Sequence, residues 1–484
     1  MLRPQRHHLG GFDLYFKHFY DEDLAQGSYL IGCQATGEAV VVDPRRDVHH
    51  YVDEAAARGL RITAVTDTHI HADYVSGARE LAATVGARLY LSGEGGTEWR
   101  YGFEHEEVMD EGVIRVGNVT LQALHTPGHT PEHLSFLVTD TQRSQAPSHL
   151  LSGDFLFVGD VGRPDLLDAV AGGNDTRFEG ARQLFSSLEK LRALPEHLQV
   201  WPGHGAGSAC GKALGAVANS TLGYERLTSW WSAYVASGDE AGFVATLLEG
   251  QPEAPDYFGR MKRVNRDGPP LLADRRPMRR FSGAELRGRV NRDVMFLDTR
   301  PVVEQWAGSV PGALAVPNGR SFATYAAWVI DPETDRRPVV VLAADEAHAA
   351  RLRDRLSYVG IDEVAGYVTS LEGLDLAPLP LVAPGALAAL GGAELVDVRN
   401  TSEFVLGHVP GARKLAASNF LGRCHEFPRR GKLVVYCLSG ERAALVASAL
   451  RNRGFSNVVE LDGSYQAWSA HAAASGEKNG TVTI

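Results

Sequence analysis

Apolar and polar positions alternate along the first half of the chain in a pattern that predicts short strands and helices joined by Gly- and Pro-rich turns. "YLIGCQATGEAVVVDP" is two apolar runs around a polar turn, a strand pair that ends at Asp43-Pro44. "VHHYVDEAAARGL" carries its apolar residues at helical spacing, and "RITAVTDTH" is an apolar strand that runs into "THIHADYVSG". The design recurs three times. "NVTLQALHTPGHT" is a strand followed by a histidine-bearing turn, "HLLSGDFLF" places Asp154 just past an apolar run, and "LQVWPGHGAG" places His204 past another. Four strand ends therefore deliver polar side chains into loops, where binding and catalysis usually reside.

The pattern changes around residues 250–282, where "GQPEAPDYFGRMKRVNRDGPPLLADRRPMRRFS" is rich in Pro, Gly and Arg and reads as a linker or surface strap. Beyond it lies an internal repeat. "FLDTRPVVEQWAGSVPGALAVP" from Phe296 lies over "LVDVRNTSEFVLGHVPGARKLA" from Leu395, pairing Asp298 with Asp397, Arg300 with Arg399, Glu304 with Glu403 and Gly308 with Gly407 at one constant spacing. Two tandem copies of a small α/β domain account for this.

Composition narrows the classes. A chain of 484 residues, 44% hydrophobic and 22% charged, fits two to four globular domains. A net charge of -11 without a basic cluster speaks against nucleic-acid and anionic-membrane partners. The first residues show no apolar leader core, and no run is long enough to span a bilayer. The four cysteines, Cys33, Cys210, Cys424 and Cys437, show no CxxC spacing or disulfide framework, which fits a cytoplasmic protein.

Imidazoles and carboxylates are standard ligands for zinc and iron. Six stand in the loops just after strands: His69, His71, Asp73, His129, Asp154 and His204. Any one alone reads as a hydrogen-bonded histidine or a turn aspartate; the ordered set HxHxD, PGH, GD and PGHG reads as a metal pocket. These loops resemble the successive ligand loops of the metallo-β-lactamase superfamily. That resemblance implies an αββα sandwich with the metal at one edge between two sheets. Many members of that superfamily hold two zinc ions and hydrolyse esters, thioesters or lactams, and a histidine after the HxHxD aspartate binds the second metal. Here that residue is Tyr74, a poor ligand as a neutral phenol, which points to a pocket for one metal.

"SGDFLFVGDVGRPDLL" and "VWPGHGAGSACGKALG" are similar to one branch, the persulfide dioxygenases. By that resemblance one Fe(II) per chain is held by His69, His129 and Asp154, the two-histidine, one-carboxylate face of non-haem iron oxygenases. His71, Asp73, Tyr74 and His204 would surround those ligands. Arg163 and Lys212 are candidate contacts for an anionic substrate, with an ion pair to Asp160 or Asp165 as the equal alternative for Arg163. Cys210, in "GSACGK", is expected to pack against a helix start.

"GKLVVYCLSGERAALVASAL" is an apolar strand, a loop and a helix pattern, with Cys437 at the strand end and Arg442 at the helix start. Loop amides and a helix N-terminus favour an anion, so the loop suits a thiolate or a persulfide. With the upstream "VDVR" and "GHVPGA", this segment resembles rhodanese, a sulfurtransferase domain. The resemblance implies Cys437 and Arg442 as catalytic residues, Ser439 and Gly440 as substrate-binding loop positions, and Asp397 with Arg399 as structural. In the earlier copy, "PVVVLAADEAHAARLRDRL", Ala343 stands opposite Cys437 and His348 opposite Arg442. That copy cannot carry sulfur.

The chain thus reads as an α/β protein of three domains: an αββα metallo-β-lactamase sandwich over 1–270, a degenerate rhodanese-like domain over 275–378, and a rhodanese domain with a parallel sheet over 380–484. The resemblances imply iron-dependent oxidation of a thiol persulfide by O₂ to sulfite and thiol, coupled to sulfur transfer from thiosulfate through Cys437. Glutathione, coenzyme A and bacillithiol are equally open as the thiol, and the oligomeric state, a homo-oligomer included, is open too. The rival is a zinc-dependent thioester hydrolase of the glyoxalase II type, against which Tyr74 speaks.

Overall fold

The structure, a computed structural model, describes residues 14–166, 168, 176–212 and 214–475. Residues 1–13, read above for a leader, and 476–484 of the last expected domain lie outside them. The chain divides into two compact units, Met1–Gln251 with Lys262–Pro270, and Pro252–Met261 with Leu271–Ile484.

The first unit contains two six-stranded sheets. In one, β1 (Leu14–Asp21), β2 (Gln26–Cys33), β3 (Glu38–Val42), β4 (Arg61–Thr66), β5 (Arg88–Ser92) and β6 (Glu106–Val108) follow one another in space as in sequence. The other runs β7 (Val113–Val116), β8 (Val119–His125), β9 (Leu134–Asp140), β10 (His149–Gly153), β11 (Gln199–Pro202) and β12 (Ser220–Thr221).

Period-two alternation decides the layers. On β3, Val40 and Val42 meet Leu121, Phe136 and Leu151 of the second sheet in a core with no exposed side chain. Ala39 and Val41 face the other way, onto Tyr51 and Ala55 of α1 (His49–Ala57) and Leu81 of α2 (Ala78–Val85). On the far side, Leu150 and Val200 pack on Leu184 and Leu188 of α3 (Thr176–Lys190). The outcome is the αββα sandwich that the ligand loops implied. Its parallel pair β10–β11 sets Gly153 beside Pro202, so Asp154 and His204 leave the sheet at the same edge.

The second unit holds two five-stranded parallel sheets. The first is made of β13 (Arg279–Arg280), β14 (Met295–Asp298), β15 (Leu314–Ala315), β16 (Val339–Leu342) and β17 (Val364–Val368), ordered β13-β17-β16-β14-β15. The second is made of β18 (Leu381–Val382), β19 (Glu394–Asp397), β20 (Arg413–Lys414), β21 (Leu433–Tyr436) and β22 (Val458–Leu461), ordered β18-β22-β21-β19-β20. The order is the same, as the internal repeat requires. The central strands "VVVL" and "LVVY" are buried throughout, which explains their unbroken apolar character. In each copy an arginine, Arg300 or Arg399, clamps its own aspartate, Asp298 or Asp397, and donates to the carbonyl of Gly308 or Gly407. Asp397 and Arg399 are thus a structural brace.

The segment expected as a linker is instead partly helical. Residues Phe258–Asp267 form a helix, with Phe258 and Met261 fully buried. Their spacing of three is an amphipathic signal that the flanking Pro, Gly and Arg hid. Among the described residues no helix is long and apolar enough to cross a membrane.

Candidate functional site

The four loops converge at one edge of the sandwich, and every ligand candidate is buried. Ligand atoms of His69, His129 and Asp154 lie within 4.8 Å of one another. His69 Nε2 is 3.9 Å and His129 Nε2 3.6 Å from Asp154 Oδ2. His69 Nε2 and Asp154 Oδ2 have no hydrogen-bond partner. A buried carboxylate oxygen without a donor is costly, and a cation among these atoms would satisfy it. Burial depresses the basicity of both histidines, aided at His69 by the neighbouring His71. They are therefore neutral imidazoles, the form that binds a metal. Burial resists ionisation of Asp154, but His204 beside it holds it well below the usual carboxylate range. The donor set fits a divalent iron or zinc ion.

Around this group the remaining candidates are committed. His204 stands between two carboxylates, Nδ1 at 2.7 Å from Asp154 Oδ1 and Nε2 at 2.8 Å from Asp73 Oδ2. Burial opposes its charge, but those carboxylates raise it well above the usual histidine range. Each ring nitrogen thus faces a carboxylate oxygen. Tyr74 turns away: its hydroxyl accepts from Gln26 Nε2 at 3.1 Å and donates to the Asp43 carbonyl at 3.3 Å. His71 Nε2 meets Asp43 Oδ1 at 3.1 Å. Burial works against its charge too, yet Asp43 and Asp67 raise it to about 9.

The cysteine loop is equally specific. Cys437 is buried, and the Gly440 amide donates to its Sγ at 3.1 Å. The Cys437 amide donates to Ser464 Oγ at 3.2 Å, and that hydroxyl lies 3.9 Å from Sγ. Ser464 adopts φ 54°, an unusual conformation for a side-chain-bearing residue. Arg442 sits at the head of α6, the helix Glu441–Asn452, where α4 (Val302–Ala307) and α5 (Glu346–Ser357) precede it in this unit. Its guanidinium grips Glu403 with both terminal nitrogens, at 2.6 and 2.8 Å. Ser439 is exposed at the loop tip.

Comparison with known proteins sorts the two regions. Residues 22–204 match the model of the metallo-beta-lactamase superfamily, and residues 384–471 match that of the rhodanese-like domain. The chain joins a metallo-β-lactamase domain to a rhodanese-like domain. A solved metallo-beta-lactamase from Staphylococcus aureus is 38% identical, with a TM-score of 0.67 over 74% of this chain and all of that one. The ETHE1 structure from Myxococcus xanthus is 27% identical over 52% of this chain and 98% of its own, with a TM-score of 0.43. A hydroxyacylglutathione hydrolase from Rhodospirillum rubrum is 32% identical over 177 residues, and the chain spans 60% of its length.

Within the metallo-β-lactamase domain, two substrate candidates lie elsewhere. Arg163 is buried, with Nε and Nη2 on Asp165 and Nη1 on the Ala209 carbonyl at 2.8 Å. This is the structural pairing weighed above. Lys212 donates to the carbonyls of Thr246 and Glu249 at the end of a helix, a cap rather than a substrate contact. Among the described residues around Cys210 no helix starts. Its Sγ falls within 4.8 Å of ligand atoms of Asp73 and His204.

One residue of this domain escaped sequence reasoning because it lies in the segment read as a linker. The Asn265 amide donates to the carbonyls of His71 and Tyr74 at 2.7 Å and accepts from the Ser76 amide at 2.9 Å. It staples the loop after β4. Asn265→Ala strands all three buried groups and should cost about 2–4 kcal/mol, read as a fall in the denaturant midpoint of the first unfolding transition.

In the earlier copy of the repeat, Ala343 is not the sole departure from the Cys437 loop. The Ala343 amide donates to the Val368 carbonyl, and the Ala344 amide to His348 Nδ1 at 3.0 Å. His348 thus fills the nest where an anion would sit. This copy also packs on the later one: Trp306 donates to Glu460 at 3.0 Å, and the Ala315 amide to Ser448 on α6. Ala343→Cys in a Cys437→Ser background should yield no thiocyanate from thiosulfate and cyanide. Only with His348→Arg added should turnover emerge.

Proposed function

We propose that the protein oxidises a low-molecular-weight thiol persulfide with O₂ at the metallo-β-lactamase site, and that the rhodanese-like domain moves sulfane sulfur through Cys437. The first reaction balances as RSSH + O₂ + H₂O giving RSH, sulfite and two protons. His69, His129 and Asp154 would hold one iron, which when bound supplies the one-electron steps that reaction with triplet O₂ demands. His204 fixes the free rotation of Asp154, and Asp73 fixes His204 in turn. In the second domain, the Cys437 thiolate attacks the sulfane sulfur of thiosulfate. An S–S bond forms at Sγ, the S–S bond of thiosulfate breaks, and sulfite leaves with the electron pair. Glutathione, coenzyme A or bacillithiol would then accept that sulfur.

The observation that carries the single-metal reading is Tyr74, which stands directly after the HxHxD aspartate. Its hydroxyl is turned away, accepting from Gln26 Nε2 and donating to the Asp43 carbonyl, so it offers no ligand to a second ion.

A second reading is a zinc-dependent thioester hydrolase. The likeness to hydroxyacylglutathione hydrolases favours it, as does the group Asp73, His204 and Cys210, whose ligand atoms lie close enough to hold an ion. Metal analysis of protein purified without added metal separates the two. One iron per chain with oxygen uptake on glutathione persulfide supports the dioxygenase. Two zinc ions with hydrolysis of a hydroxyacylglutathione and no oxygen uptake supports the hydrolase.

A further inference from the structure

We propose that Glu132 and His133, two consecutive residues with no part in the ligand set, are positioning residues that brace all three ligand loops of the metal centre. The proposal rests on reading His69, His129 and Asp154 as ligands and holds for either metal.

Both side chains are fully buried, three and four residues after His129. Glu132 Oε1 accepts the Ile70 amide at 2.7 Å, between His69 and His71. His133 Nε2 accepts the Asp154 amide at 3.1 Å. The next amide, of Leu134, donates to the Thr68 carbonyl at 2.8 Å. One short segment therefore ties the His129 loop to the His69 loop and to the Asp154 strand end. The His133 ring also stacks on that of His69, with centroids 5.2 Å apart.

The polar contacts around His133 form one consistent chain. Because Nε2 accepts, its ring proton is on Nδ1, which faces Thr126 Oγ1 at 2.9 Å. The Thr126 hydroxyl then points to Ser135 Oγ at 2.9 Å, and Ser135 donates to the Ser152 carbonyl at 3.4 Å. Simple space filling would have used an apolar side chain, since burying polar groups is unfavourable unless they are bonded. The backbone has also been cleared for the pair. A Cβ at Gly95, φ 82°, would stand 2.8 Å from Glu132 Cβ, and one at Gly153, φ 51°, would stand 2.5 Å from His133 Nε2.

The test uses the full chain and Co²⁺ as the probe metal, with affinity read by chelator competition and geometry by the cobalt absorption bands. His133→Leu and Glu132→Ala should weaken Co²⁺ binding about 10–100-fold and alter the bands. His133→Gln places an amide oxygen where Nε2 accepts, and Glu132→Gln keeps Oε1; both should remain within about threefold of the parent. Thermal midpoints of the metal-free proteins separate folding from binding. Should His133→Leu fail to fold, His133→Asn decides, because its shorter amide reaches toward Thr126 and not Asp154. Equal affinity of His133→Asn and His133→Gln, or parental binding by His133→Leu, overturns the proposal. A parent that binds no Co²⁺ overturns both the ligand reading and the brace. The expected affinities without oxygen uptake on a persulfide overturn the dioxygenase alone.

Discussion

His129→Ala is expected to leave the protein folded, strip the iron and lower oxygen uptake on a persulfide by more than about a hundredfold. Two facts separate binding from folding here. The turn that carries His129 is held by Gly128, φ 142°, where a Cβ would stand 2.5 Å from Leu184 Cβ on α3, so backbone packing and not the imidazole shapes the loop. The imidazole itself lies against Asp154 Oδ2 at 3.6 Å, an oxygen that has no hydrogen-bond donor. Removing the ring deletes one of three donors and leaves a buried carboxylate with less neutralisation. Elemental analysis and an oxygen electrode check the two arms together. Retained iron with lost oxygen uptake would mean that His129 is not a ligand; retention of both would place the chemistry elsewhere.

Cys437→Ser should reduce sulfur transfer from thiosulfate to background, a loss of about a thousandfold or more, while oxidation of a preformed persulfide persists. A serine hydroxyl neither ionises near neutral pH nor forms a persulfide. The change is nearly isosteric, and the contacts that hold the loop do not need the sulfur: the Cys437 amide donates to Ser464 Oγ, and the Tyr465 amide donates to the Cys437 carbonyl. The loop therefore keeps its shape. Stopped-time assays of thiocyanate formation and oxygen consumption on one preparation separate the activities. Loss of both in folded, metal-loaded protein would show that sulfur must pass through Cys437 before oxidation.

Much of the candidate metal site was readable because its residues cluster in short motifs at strand ends, where the apolar run supplies the strand and the turn supplies the polar side chains. His69, Asp154 and His204 follow from that logic, as does Cys437 at the end of "LVVY". Residues whose role depends on distant partners were not readable. Asn265 acts on a loop nearly two hundred positions away, in a segment whose composition suggested a linker. Glu132 and His133 look like turn and strand residues until β9 is set beside the ligand loops. Arg163 and Lys212 have charges that suit an anionic substrate, but folding gave them nearer partners in Asp165 and in helix-end carbonyls.

The sequence by itself determined the layers, the repeat and the chemical inventory. Unbroken apolar runs in β3, β16 and β21 and the paired "VPGA" turns are local properties that survive any arrangement of neighbours. Only the tertiary structure decided which polar groups remain free. Tyr74 could have faced the metal pocket until Gln26 and the Asp43 carbonyl engaged its hydroxyl, and Arg442 could have faced solvent until Glu403 engaged it. The physical reason is that hydrogen-bond capacity is finite and directional. A side chain's chemistry is written in its type, but what it has left to offer depends on which buried partners reach it first.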